Sequence, residues 1–335
     1  TSQLQRLQVL SSDADLSDIS GLTLGFSNIK TSTAFLTPQR AAVTITSGTA
    51  RSHIDPSQLP LGSFTRSVAG SALEKAKATN SSSGVSTGND VIVTVQENGS
   101  WYVSLGYTVA EDAARASGQT APAASSSIPA VGSATADDAI RSLIQSAANL
   151  DVAGVIKLTP PGEMAALHDY APLFLPQADN ALSNVRSKLS VSITKLELAD
   201  VPDGSGSELV TIRGIAFRAT YEQYTVTYDG SCLDISDASD PSNDQHFCPR
   251  ASDLNSALSS LPAAVQPIVN DLKNLHPKEG LVALEENGQW YFDPVRTVFT
   301  DLDNLLGALS IKDMNDIASL VKQAESGTLS STLGG

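Results

Sequence analysis

The six residues Glu97-Asn98-Gly99-Ser100-Trp101-Tyr102 return as Glu286-Asn287-Gly288-Gln289-Trp290-Tyr291, and they carry the only two tryptophans of the 335-residue chain. Each copy follows a short apolar run, Val91 to Val95 in one case and Leu281 to Leu284 in the other. Asn-Gly suits a two-residue hairpin because both central residues of a type I′ turn need positive φ. A strand, a tight turn and a second strand opening on Trp-Tyr are therefore predicted twice, 189 residues apart. One such hairpin constrains little. Two predict a duplicated domain.

The repeat extends upstream. Extended segments at 22–29 and 41–52 precede the first hairpin, and segments at 189–196 and 209–220 precede the second. Between them, 55–90 is rich in Ser, Gly and Pro, with a weak helix at 68–77 and a low-complexity stretch at 80–88 read as a mobile loop. A short helix is expected at 109–116. Residues 117–134 have the composition of a flexible linker.

Thr135 then offers a helix N-cap, with Asp137 and Asp138 in the first turn, where the helix dipole favours negative charge. Ile140, Leu143, Ile144 and Ala147 fall at helical spacing. Further helices are expected at 151–158, ending at Pro160-Pro161, at 162–175 and at 177–188. Strands at 189–198 and 208–228 follow, then a loop at 229–250, helices at 251–261 and 264–274, the second hairpin, and helical segments at 300–309 and 312–324. The first half has far less helical sequence in front of its strands. Either its helical layer lies upstream of Thr1 or another segment supplies it.

Length fits two domains, at roughly 100–200 residues each. With 21 Lys+Arg against 36 Asp+Glu, the net charge is −15, which disfavours nucleic acid and a polybasic membrane footprint. Cys232 and Cys248 sit in the 229–250 loop, with no further cysteine and no CxxC pattern to suggest zinc. A disulfide is expected, implying an oxidising compartment. Closing a loop of that length contributes about 3 kcal/mol in the chain-entropy model. No run of 18 apolar residues is present to span a bilayer. A start at Thr1 reads as a mature or excised segment whose anchor lies upstream. The Ser/Thr/Ala-rich, Lys-poor texture suits export from a high-GC, actinobacterium-like organism.

Helices followed by a curved antiparallel sheet that closes on a Glu-Asn-Gly-x-Trp hairpin resemble the NTF2-like (SnoaL-like, cystatin-like cone) superfamily. The residues that carry the resemblance are the opening helix from Thr135, the Pro160-Pro161 stop, the two long strands, and the hairpin from Leu281 to Phe292. The resemblance implies an α+β fold with a first NTF2-like domain at 1–116, N-terminally incomplete, a linker at 117–134, a second domain at 135–310, and a C-terminal helix and tail at 311–335. More narrowly, the chain resembles actinobacterial membrane-anchored proteins that expose tandem domains of this kind outside the cell. The superfamily contains enzymes, carriers and protein-binding modules, so the fold leaves function open.

The chemically richest stretch is His168-Asp169-Tyr170. Cone-fold enzymes place such groups inside for acid–base work, but the bland reading is a helix-end cluster bonded to backbone. Arg213, Tyr221 and Tyr224 are further candidates for lining a cavity or binding an anion. Trp101 and Trp290 are expected inward as repeat-core markers, with each following tyrosine outward or at the sheet edge. No catalytic residue, metal site or cofactor is assigned: the histidines are scattered, and no Gly-rich phosphate loop precedes a helix. The expected function is a non-enzymatic extracytoplasmic module, tethered to a membrane and engaging a protein partner or a cell-envelope component. A carrier of a small apolar or lipidic ligand in the second cone, and an acid–base enzyme using His168, Asp169 or Tyr170, are the alternatives.

Overall fold

A computed structural model describes residues 5, 9–15, 17–84, 91–202, 206–248 and 280–308. The chain is α+β, with two antiparallel sheets that share one strand plan. In the first, β2 (Arg40–Ile54) is paired along one edge by β1 (Leu22–Thr37). Its other edge is divided between β3 (Thr79–Gly84), opposite residues 49–54, and β4 (Val91–Glu97), opposite residues 40–44. In the second, β7 (Ser207–Tyr221) has β6 (Leu189–Pro202) along one edge. Its other edge is divided between β8 (Tyr224–Tyr228) and β11 (Leu281–Glu286). The hairpin strands β5 (Ser100–Val103) and β12 (Gln289–Phe292) close the two plans. Their turns have positive φ at Asn98, Gly99, Asn287 and Gly288, as the type I′ reading requires.

The 189-residue offset holds at the level of single hydrogen bonds. Thr108 Oγ1 accepts from Val93 N at 2.9 Å and donates to the Ser104 carbonyl at 2.6 Å. Thr297 Oγ1 accepts from Val282 N at 2.9 Å and donates to the Asp293 carbonyl at 2.7 Å. Each hydroxyl satisfies a strand amide while stitching the first turn of the following helix, α2 (Leu105–Ala116) or α6 (Pro294–Ala308), onto that strand.

The second half has a helical layer. Thr135 caps α3 (Ala136–Ala148) by accepting from Asp138 N, and Asp151 caps α4 (Val152–Lys157) in the same way through Gly154 N. Ile140 and Leu143 of α3 pack on Val210 and Ala283, with Trp290 and Phe292 completing the cluster. Burying an Ile or Leu side chain in this way contributes about 1.5–3 kcal/mol. Tyr291, expected outward or at the sheet edge, is buried beside Gly132 of the connecting segment.

In the first half the corresponding tryptophan behaves differently. Trp101 is 42% exposed and meets Phe35 edge-on, itself 69% exposed, and Tyr102 is exposed too. Trp101 is therefore not a core residue. Among the described residues no helix takes the place over this face that α3 takes over Trp290. The other face of the sheet, with Ala42, Val91 and Val93, is covered by α2 through Tyr107. Against α2 packs α5 (Ala165–Arg186), which belongs to the second half. Part of the first half's covering is thus supplied from the second.

Several local expectations change. Helices predicted at 162–175 and 177–188 form the single helix α5, running through Pro172 and Pro176. Proline removes a helical donor, so Pro172 leaves the His168 carbonyl free, and Ile128 N donates to it at 3.0 Å. That bond is one of several that pin the segment expected to be a flexible linker. Val131 N reaches the Lys157 carbonyl at 2.7 Å, and Ser133 and Trp290 exchange backbone bonds at 2.8 and 2.9 Å. The stretch at 208–228 is two strands joined through Glu222 at φ 54°. Residues 79–84, in the region read as a mobile loop, form β3. The cysteine segment is a hairpin of β9 (Leu233–Asp237) and β10 (Gln245–Phe247), with the Cys232–Cys248 disulfide formed. Helices expected at 251–261, 264–274 and 312–324 lie outside the described residues. Among the described residues no helix is long and apolar enough to cross a membrane.

Candidate functional site

The predicted candidates do not converge on one cavity. Arg213 is exposed, and Tyr221 and Tyr224 lie half-exposed at the β7–β8 turn. His168 is buried and turned toward the connecting segment. Its Nδ1 meets the Ile128 carbonyl at 2.9 Å, and its Nε2 meets the hydroxyl and the carbonyl of Thr159, each at 3.1 Å. Backbone contacts occupy both ring nitrogens, so His168 is a clasp.

Asp169 and Tyr170, the next two residues of α5, instead face the first half. Arg40, buried at the start of β2, forms an ion pair with the Asp169 carboxylate, and Tyr107 of α2 donates to the same oxygen at 2.7 Å. The Arg40 guanidinium also stacks 4.3 Å above the Tyr107 ring. One turn further along α2, buried Glu111 accepts from the Tyr170 hydroxyl at 2.6 Å and from Arg115 at 2.7 Å. Glu111 and Arg115 are an i,i+4 pair and legible as such. Arg40 and Tyr107 carry no local signal, since their partner is over sixty residues away.

Beside this polar junction runs an apolar trough of about 560 Å³ between α2 and α5. Leu105, Val109 and Ala113 form one wall, Leu167, Leu173 and Phe174 the other, and the Tyr170 ring lies between them. Leu105 and Val109 are 77% and 68% exposed, and Phe174 is 38% exposed. At one end Glu163 pairs with Arg296 at 2.6 Å, and Arg296 also holds Asp293 at 3.0 Å. The Arg296 hydrogen bond keeps the Glu163 carboxyl below its usual range.

The junction groups are moved away from neutrality. Burial alone would raise Asp169, but hydrogen bonds from Tyr107, Ser127 and Arg40 outweigh it and leave the carboxyl below its usual value. Burial, reinforced by the Asp169 carboxylate, pushes Tyr107 up to about 12. Burial and Glu111 push Tyr170 up as well. In an alkaline absorbance titration these two should ionise late, and Tyr107→Phe should remove one late component. Because its native pKa is raised, Tyr107 contributes stability that is complete below about pH 10, its ordinary value, and lost as pH rises through about 12.

No family model, no curated protein and no solved structure matches the chain.

Proposed function

We propose that the chain is a pair of cone-type domains of the NTF2-like kind, acting outside the cytoplasm as a non-enzymatic binding module. Its ligand is a protein partner that lays a basic amphipathic helix into the α2–α5 trough. The observation that carries this reading is the trough itself: two helices present exposed Leu105, Val109 and Phe174 around an open apolar floor. A third helix fits such a surface through anchors at i, i+3, i+4 and i+7. The net charge of −15 favours a basic polar face on that helix. The shared strand plan of the two sheets supports the tandem reading, and the disulfide is compatible with an oxidising location.

The junction groups support the non-enzymatic side. A general acid or base works best with a pKa near the operating pH, and here Asp169 is held down while Tyr107 and Tyr170 are held up. A second reading rests on the trough's volume, which falls within the roughly 300–1,000 Å³ of small-ligand sites; it is a carrier for an acyl chain.

A labelled Leu/Lys amphipathic peptide, a scrambled peptide of the same composition and a dansylated fatty acid separate these readings by fluorescence anisotropy. The helical peptide is expected to bind saturably and more tightly than the scrambled one. Val109→Asp and Phe174→Asp, at exposed positions, should each weaken it at least about tenfold, since a buried unpaired carboxylate costs more than 1.4 kcal/mol. Equal binding of the two peptides, or indifference to both substitutions, would sink the protein-partner reading. Saturable uptake of the fatty acid alone would transfer the trough to the carrier.

A further inference from the structure

The β9–β10 hairpin brings together groups that the trough does not use. Its register sets Asp234 opposite His246 and Leu233 opposite Phe247, which leaves Cys232 and Cys248 flanking the open end of the ladder. His246 Nδ1 is bonded to the Asp234 carboxylate, and its Nε2 lies 3.1 Å from Cys248 Sγ. A ring nitrogen of His246 and both sulfur atoms all fall within 4.8 Å of one another. Asp229 ties down the approach to Cys232, accepting from Ser231 N at 2.7 Å and from Cys232 N at 2.8 Å.

We infer that reduction of the Cys232–Cys248 disulfide turns this hairpin into a binding site for a thiophilic divalent cation of the Zn²⁺ class, held by both thiolates and His246 Nε2. Zinc prefers sulfur and imidazole nitrogen in a tetrahedron, at about 2.3 Å and about 2.0 Å. Those bond lengths place ligand atoms about 3.5–3.8 Å apart, within the span already bounded here. The sulfurs separate at the open end of the hairpin, so the paired residues 233–235 and 245–247 keep their ladder. Asp234 supplies the carboxylate that ligating histidines commonly bond through their other nitrogen, fixing the tautomer and orienting Nε2 toward the ion. It is a positioning residue, and Asp229 adds a second negative charge beside the loop. The His246 side chain is 66% exposed, so the fourth position is open to water.

The chemistry balances with an external dithiol as reductant. Its thiolate attacks Cys232 Sγ and expels the Cys248 thiolate beside the imidazole. The second reductant thiol then resolves the mixed disulfide, freeing Cys232 and leaving the reductant oxidised. Binding Zn²⁺ to the two thiols releases two protons. Disulfide and metal site are therefore mutually exclusive states of one hairpin.

The test uses the full chain, oxidised or reduced and freed of reductant under anaerobic conditions, titrated with Co²⁺ and then Zn²⁺. Reduced protein should bind one Co²⁺ with thiolate charge-transfer absorbance that Zn²⁺ abolishes, while oxidised protein shows none. His246→Ala should weaken Zn²⁺ binding, measured against a chromophoric chelator, by at least about tenfold. Asp234→Asn should weaken it by about tenfold and shift its pH dependence. Circular dichroism confirms that each variant folds. Absence of the thiolate–Co²⁺ band in reduced protein would overturn the inference, as would unchanged Zn²⁺ affinity in His246→Ala. None of these outcomes depends on what the trough binds.

Discussion

Replacing Asp169 by alanine should lower the unfolding free energy by about 3 kcal/mol, because it leaves Arg40 charged and almost fully enclosed. The Asp169 side chain keeps 22% exposure, so water relieves part of the penalty and the lower end of the usual 3–5 kcal/mol range applies. Urea unfolding followed by circular dichroism reads the change as a lower midpoint at an unchanged slope. Arg40→Met combined with Asp169→Leu should recover most of the loss, since an apolar pair of similar volume carries no buried charge. A double variant as unstable as Asp169→Ala alone would mean that stacking of Arg40 on Tyr107, not the ion pair, holds the junction. The pH dependence has a definite sign. The native pKa of Asp169 is depressed, so its contribution is complete above the unfolded value of about 3.9 and disappears as pH falls through the native value. Asp169→Asn should therefore flatten the acid limb of stability against pH.

His168→Leu is expected to have the next largest effect, at about 3 kcal/mol. The substitution conserves apolar bulk but takes the ring partner from the Ile128 and Thr159 carbonyls, while the Thr159 hydroxyl keeps its bond to the Ile156 carbonyl, and a buried polar group left without a partner costs about 1–3 kcal/mol. The loss should be local in hydrogen exchange. Faster exchange is expected at Ile128 and Val131, whose amides donate to the His168 and Lys157 carbonyls, with little change at Ile140 and Val210 in the core beneath α3. Uniform acceleration across both sets would show His168 to be an ordinary core residue.

The parts legible from sequence were those fixed by neighbours in the chain. Asn-Gly sets its own turn, Thr135 caps its own helix, and apolar alternation marks β2 and β7. The repeat was legible because its signals are local and occur twice. The site was not, because its pairs are far apart: Asp169 meets Arg40 across 129 residues and Tyr107 across 62. Trp101 was misjudged for a related reason. Its strand has the right sequence, but burial of its face depends on a helix that none of the described residues places there. Pro176 separates the helices expected at 162–175 and 177–188, yet α5 runs through it and through Pro172, where Ile128 takes up the freed His168 carbonyl. The composition of 117–134 reads as a linker and carries no sign of the backbone bonds to the His168, Lys157 and Trp290 carbonyls that hold the segment in place.

The shared covering of the first sheet has a consequence for how the molecule counts. By its repeated strand plan it counts as two sheets. By energetics α2 and α5 make it one, since neither can leave the other without uncovering Tyr170, Glu111 and Arg40 together. A nick in 117–134 would yield two fragments that remain associated, and excision of the first half would leave an unpaired Asp169 beside a newly bared helix. The repeated plan is also a dependency.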